Sequence, residues 1–138
     1  MKLILGKEDY DKILVHCRQS LPNEACGLLA GTAEVGVKKI LKVYLLTNTD
    51  ASNEHFSMSP QEQFAALKDA RANGMVLIGS FHSHPASPPR PSEEDKRLAY
   101  DSSMEYLILS LQDNEKPVLK AFGIDKNRNV TAHEIEVN

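Results

Sequence analysis

The chain has 138 residues, 41% of them hydrophobic and 25% charged, the size and composition of one globular domain (1–138) with a single core. With 16 basic and 19 acidic residues the net charge is -3, which excludes the electrostatic footprint of a nucleic-acid binder and a basic membrane-binding face. The longest apolar runs are strand-sized, well short of the ~20 residues that cross a bilayer. The segment before Gly6 is too short for a signal peptide. Cys17 and Cys26 form no CxxC pair or disulfide framework, so the expected location is a reducing cytoplasm.

Lys2 to Leu5 is a possible short strand. Tyr10, Ile13, Leu14, Cys17 and Leu21 recur at helical spacing, with Glu8 and Asp9 in the favourable first turn, and predict a helix from Lys7 to Ser20. Cys17 lies on that apolar stripe and reads as core. A strand follows at Ala25 to Ala30, a turn at Thr32 to Gly36, a longer strand at Val37 to Thr47 and a short one at His55 to Met58. Ser59-Pro60-Gln61-Glu62 carries the signature of a capping box, with Phe64, Leu67 and Ala70 as the apolar face of the helix and Gly74 as its stop. Met75 to Phe81 is apolar on both faces, as a central strand is. It runs into His82-Ser83-His84 and a proline-rich loop from Pro85 to Pro91. A second capped helix starts at Ser92, and strands at Glu105 to Leu111, Val118 to Ile124 and Val130 to Val137 close the chain. This order predicts an α/β or α+β sandwich: a mixed, largely antiparallel sheet flanked by helices, without Rossmann alternation.

His82 and His84 stand two apart at a strand end, so both imidazoles leave one face with backbones roughly 6.6 Å apart. Asp95 occupies a helical stripe with Leu98, Ala99 and Ser102, where an unpaired carboxylate is costly to bury. Two imidazoles, one carboxylate and an open position make a catalytic zinc site, whereas structural sites carry four protein ligands. The pattern H-x-H-x₇-S-x-x-D arises by chance in roughly one in several thousand chains of this length. Ser92 caps the helix and can also point its hydroxyl at the site.

At these residues the sequence resembles the JAMM (MPN+, Mov34/PAD-1) metalloprotease family: Glu24, then His82-Ser83-His84, the seven residues PASPPRP, Ser92 and Asp95. NEACGLLAG around the glutamate and GSFHSHP at the histidines are similar to the family as well. The resemblance implies an MPN/JAB1-type, deaminase-like sandwich with one zinc ion on His82, His84 and Asp95. It further implies Glu24 as the group that takes and returns the proton of a zinc-activated water, and Ser92 as an oxyanion donor. Cys26 shares a strand face with Glu24 and reads as a small buried hydrophobe. His16, His55 and His133 lack partner spacing and are not expected as ligands.

Only 43 residues follow Asp95, which leaves little room for the insertions that grip ubiquitin in deubiquitinases. The chain looks like the small stand-alone prokaryotic type. That resemblance implies a substrate in the C-terminal tail of a ubiquitin-like or sulfur-carrier protein, for example a carrier–cysteine conjugate. The tail could add a strand along His55 to Met58. A non-catalytic MPN scaffold is the alternative, though such relatives usually lack a ligand. A zinc deaminase is disfavoured because H-x-E…P-C-x-x-C is missing.

Overall fold

A computed structural model describes residues 1–138. Its elements are β1 (Lys2–Leu5), α1 (Lys7–Ser20), β2 (Cys26–Glu34), β3 (Val37–Leu46), α2 (Pro60–Ala72), β4 (Val76–His84), α3 (Glu93–Arg97), β5 (Glu105–Ser110), β6 (Val118–Ile124) and β7 (Val130–Val137). The strands close in the order β1-β3-β2-β4-β5-β6-β7. The expected mixed sheet flanked by helices closes into a barrel, because β1 pairs in parallel with both β3 and β7 and removes the free edges. Four of the seven pairings are antiparallel and three, including β4 with β5, are parallel. Register shifts in β2 near Ala30 mark bulges of the kind that bend a strand into a closed sheet. No helix is long and apolar enough to cross a membrane.

Leu3, Leu5, Leu29, Ile40, Phe81, Leu107, Leu109 and Ala121 meet in one cluster, into which α1 inserts Ile13 and Cys17. A smaller cluster of Cys26, Leu28, Leu46 and Ala66 lies beneath α2 on the opposite side of the sheet. Near the start of β5, Glu105 is 3% exposed and accepts from Lys38 Nζ at 3.1 Å and His133 Nδ1 at 2.5 Å. This pairing links β3, β5 and β7, which share no ladder. Its value lies in specifying closure, since a buried ion pair adds little net stability.

Several elements depart from the sequence reading. The β2–β3 turn is only Val35-Gly36, with Gly36 at φ 79°, and not the whole of Thr32 to Gly36. The Ser59 side chain accepts from Glu62 N, but Glu62 turns its carboxylate to Thr47, so the box around Ser59 is half formed. Ala66 and Ala70 face the sheet, while Phe64 (68%) and Leu67 (41%) stay exposed: the close packing of α2 admits methyls on that side. Residues 55–58 form no strand, since no ladder partner reaches them. Helix α3 has five residues and stops at Leu98, which is 44% exposed, so no core-facing stripe through Ser102 exists.

Gly27 sits between Phe81 in β4 and β3. A Cβ there would lie 2.2 Å from both a Phe81 ring carbon and the Tyr44 carbonyl oxygen. The oxygen belongs to the ladder and cannot yield without opening it. Gly27→Ala should therefore cost about 1–3 kcal/mol and lower Tm by roughly 5–10 °C. An unchanged melting temperature would show that the strands have room.

Candidate metal centre

The period-two alternation of β4 builds the centre. Phe81 and Ser83 point into the barrel cluster side, and His82 and His84 point to the side that carries α2. His82 and His84 are each 4% exposed. His84 Nδ1 donates to the Pro88 carbonyl at 2.8 Å, which orients the ring and turns its Nε2 to the cluster. The proline-rich loop is thus tied to the site, and Ser110 Oγ anchors it again by donating to the Ser87 carbonyl at 2.7 Å. The Phe56 ring stacks on His82 at 4.8 Å between centroids.

Asp95 arrives from α3 through its capping box. Ser92 Oγ accepts from Asp95 N at 3.0 Å, and Asp95 Oδ2 accepts from Ser92 N at 2.9 Å. The same Oδ2 lies 3.1 Å from both His82 Nε2 and His84 Nε2, and those two nitrogens are 3.1 Å apart. Hydrogen bonds cannot satisfy all three edges of this triangle. With Nδ1–H committed to Pro88, a neutral His84 offers a lone pair to a carboxylate oxygen. A cation ligated by all three removes the conflict. Ligands about 2.0–2.1 Å from a tetrahedral zinc lie roughly 3.3 Å from one another, close to the triangle observed. His82, His84 and Asp95 are the one group of three such side chains whose ligand atoms converge.

The structure therefore brings together the three side chains expected as ligands, although Asp95 reaches them from a short capped turn. Glu24, just before β2, is 6% exposed. Burial pushes its carboxyl up to about 7; His84 pulls it down, and Asp95 and Glu94 push it further up. Burial would raise Asp95 too, but the adjoining His82 and His84 rings and the Ser92 amide hold it well below the usual carboxylate range. Ser92 is exposed and, since its oxygen already accepts from Asp95 N, its proton is free to donate outward.

Of the remaining candidates, Cys26 is fully buried opposite His82 in the β2–β4 register, and burial pushes its thiol up to about 12. His16 Nε2 lies against the carbonyls of Cys26 (3.2 Å) and Leu46 (3.1 Å), His55 pairs with Glu94 and His133 with Glu105. None of these joins the triangle. The sequence reading missed Phe56, the Pro88 carbonyl and Ser83, whose Oγ accepts from Ala25 N at 2.8 Å beside Glu24. Such contacts depend on loop paths that no local pattern encodes.

A cavity of about 380 Å³ opens beside His82 and Asp95. Leu28, Phe56, Met58, Leu98, Ile108 and Ile124 give it apolar walls.

A small closed barrel with a His-His-Asp triangle at one strand end is the class defined by this geometry. The description "prokaryotic homologs of the JAB domain" matches residues 6–124, and the chain belongs to that family. It is 29% identical over 130 residues to a desampylase of Pyrococcus furiosus, covering 94% of this chain and 87% of the relative. It is 28% identical over 122 residues to the CysO-cysteine peptidase of Mycobacterium tuberculosis, covering 88% and 82%. A solution structure of a protein from Desulfitobacterium hafniense superposes with a TM-score of 0.90 at 51% identity, covering 100% of this chain and 93% of the other.

A carboxyl whose pKa is raised on folding, here from 4.5 to about 7, binds its proton more tightly in the folded state. The stability it contributes is present below pH 4.5 and is lost as pH rises through about 7. In metal-free protein, Glu24→Gln should gain about 1–2 kcal/mol on wild type between those limits, allowing for solvent screening. Denaturant midpoints across pH test this, and parallel curves would refute it.

Proposed function

We propose that this protein is a zinc-dependent peptidase or isopeptidase that hydrolyses an amide bond beside the C-terminus of a ubiquitin-like or sulfur-carrier protein. The observation that carries the reading is the 3.1 Å triangle of His82, His84 and Asp95 beside a buried glutamate whose carboxyl is pushed up to about 7. A desampylase and a CysO-cysteine peptidase among the relatives support the substrate class.

Zinc is the metal that two imidazoles and a carboxylate suit, and when bound it would acidify a water to a pKa of about 7 and polarise the scissile carbonyl. Glu24 takes the proton of the attacking water and returns it to the departing amine. Burial raises the proton affinity of this carboxyl above that of an exposed glutamate, which suits a group that first takes a proton and then returns it. Ser92 donates its free proton to the oxygen that gains charge as the carbonyl carbon becomes tetrahedral. Asp95 stays ionised and, through its capping box, holds Ser92 beside the ligand set. The apolar cavity accepts the residues preceding the scissile bond. This replaces strand addition along 55–58, where the backbone is already tied down: Thr49 N donates to the Ser57 carbonyl and Gln63 to that of Met58.

Zinc-loaded protein incubated with a sulfur-carrier protein extended by one C-terminal cysteine should remove that residue, read as a mass loss. Glu24→Ala should keep the zinc and lose most of the turnover. A wild-type protein that holds zinc and cleaves no such conjugate would overturn the reading, and one that takes up no zinc would favour a scaffold.

Ser92→Ala should lower kcat by on the order of 10²–10³ if the hydroxyl serves the developing charge. A loss confined to stability, about 1 kcal/mol, would reduce Ser92 to a cap.

A further inference from the structure

Asn48 lies in the loop after β3 and carries no sequence signal of function. Its side-chain amide makes bonds that converge on the site from two directions. Nδ2 donates to the Glu24 carbonyl at 3.0 Å and to the His55 carbonyl at 2.9 Å. Oδ1 accepts from Ser57 N at 3.2 Å and Asp50 N at 3.0 Å. The amide therefore brackets Phe56 between its two neighbours, and the Phe56 ring is the one stacked on His82. The same loop returns to Glu24 once more, where Glu24 N donates to the Ser52 carbonyl at 2.8 Å.

Glu24 precedes β2 and has no ladder of its own to hold it. Its peptide is fixed by Ser52 on one side, Asn48 on the other, and the Ala25 N to Ser83 Oγ bond just beyond. Of these three, Asn48 holds the residues on both sides of Phe56, the aromatic cover of His82, whereas Ser52 reaches only His55, its Oγ accepting from His55 N at 3.3 Å. A planar amide with two donors and a two-lone-pair acceptor is needed for this pattern. Aspartate keeps the acceptor half but turns an oxygen toward two carbonyls, and leucine or serine supplies neither half in that geometry.

We propose that Asn48 is a positioning residue that sets the distance of Glu24 from the His82 side of the metal centre. The inference rests on the hydrolase reading, in which Glu24 moves the proton. Small displacements of a proton-transfer group are costly to rate while leaving substrate binding intact.

The test is a cycle of Asn48→Asp, Glu24→Gln and the double variant, each zinc-loaded and assayed on the carrier–cysteine conjugate. Asn48→Asp should bind one zinc, keep KM within about twofold and lose kcat by about 10–100-fold. In the Glu24→Gln background the same change should cost less than about twofold, as expected when one residue acts through the other. Wild-type kcat in Asn48→Asp, or equal losses in both backgrounds, would overturn the proposal. Amide exchange by NMR on zinc-loaded protein provides a readout without turnover. The Asn48 side-chain protons should exchange at least tenfold more slowly than those of exposed Asn127. Asn48→Asp, or Asn48→Ala if the first does not fold, should raise exchange at Glu24 N and leave β5 unchanged. Equal rates at Asn48 and Asn127 would refute the clamp with no variant at all. An inactive wild type with a protected Asn48 would sink the hydrolase reading and leave the clamp standing.

Discussion

Two imidazole nitrogens and a carboxylate oxygen lie 3.1 Å from one another at the end of β4, largely shielded from water. Electron-rich atoms do not gather this way without something to hold them, and much of the local architecture is that support. The Pro88 carbonyl accepts a hydrogen bond from His84 Nδ1, Phe56 covers the face of His82, and the Ser92 amide donates to the oxygen of Asp95 that faces the histidines. Each contact removes a degree of freedom from one of the three side chains that could hold a metal ion. That is how a protein makes a metal site of defined geometry.

The capping box on α3 does two jobs with one carboxylate. A helix of five residues contributes almost no stability of its own, and none of its residues is buried. Its purpose in the fold is to present Asp95 at a fixed angle, with Ser92 beside it. In the same economy of parts, β4 sends alternate residues to two environments. Phe81 and Ser83 knit the barrel interior to α1 and to the start of β2, while His82 and His84 face the opposite side. The interior packing and the two histidines of the candidate centre are thus set by a single strand, and a register slip of one residue would lose both.

Barrel closure supplies the rigidity behind this. Parallel pairing of β1 with β3 and β7 joins the two ends of the chain, and Glu105 with Lys38 and His133 ties three non-adjacent strands. The site itself lies where β2, β4, the long loop after β3 and α3 converge. Loops carry several of the functional contacts, and the closed sheet gives them a fixed frame.

The elements with strong periodicity were legible in the chain: α1, β6 and β7 fall where the residue patterns place them, and the histidine pair and Asp95 follow from spacing. These are local properties, set by alternation, capping chemistry and side-chain type over a few residues. Local patterns read Ala70 correctly but misjudged the rest of α2, where Phe64 and Leu67 look like the buried face and Ala66 takes that place, because only the approach of the sheet decides which side has room. They likewise extended α3 past Leu98 and made a strand of residues 55–58. Barrel closure depends on pairings between residues at opposite ends of the chain, such as Leu5 with Val137, which no local window contains. The candidate residues His82, His84 and Asp95 were therefore legible in the sequence. Their convergence to 3.1 Å, the burial that raises Glu24 and the amide that links Glu24 to His82 were decided only by the tertiary structure, since each requires segments distant in the chain to meet.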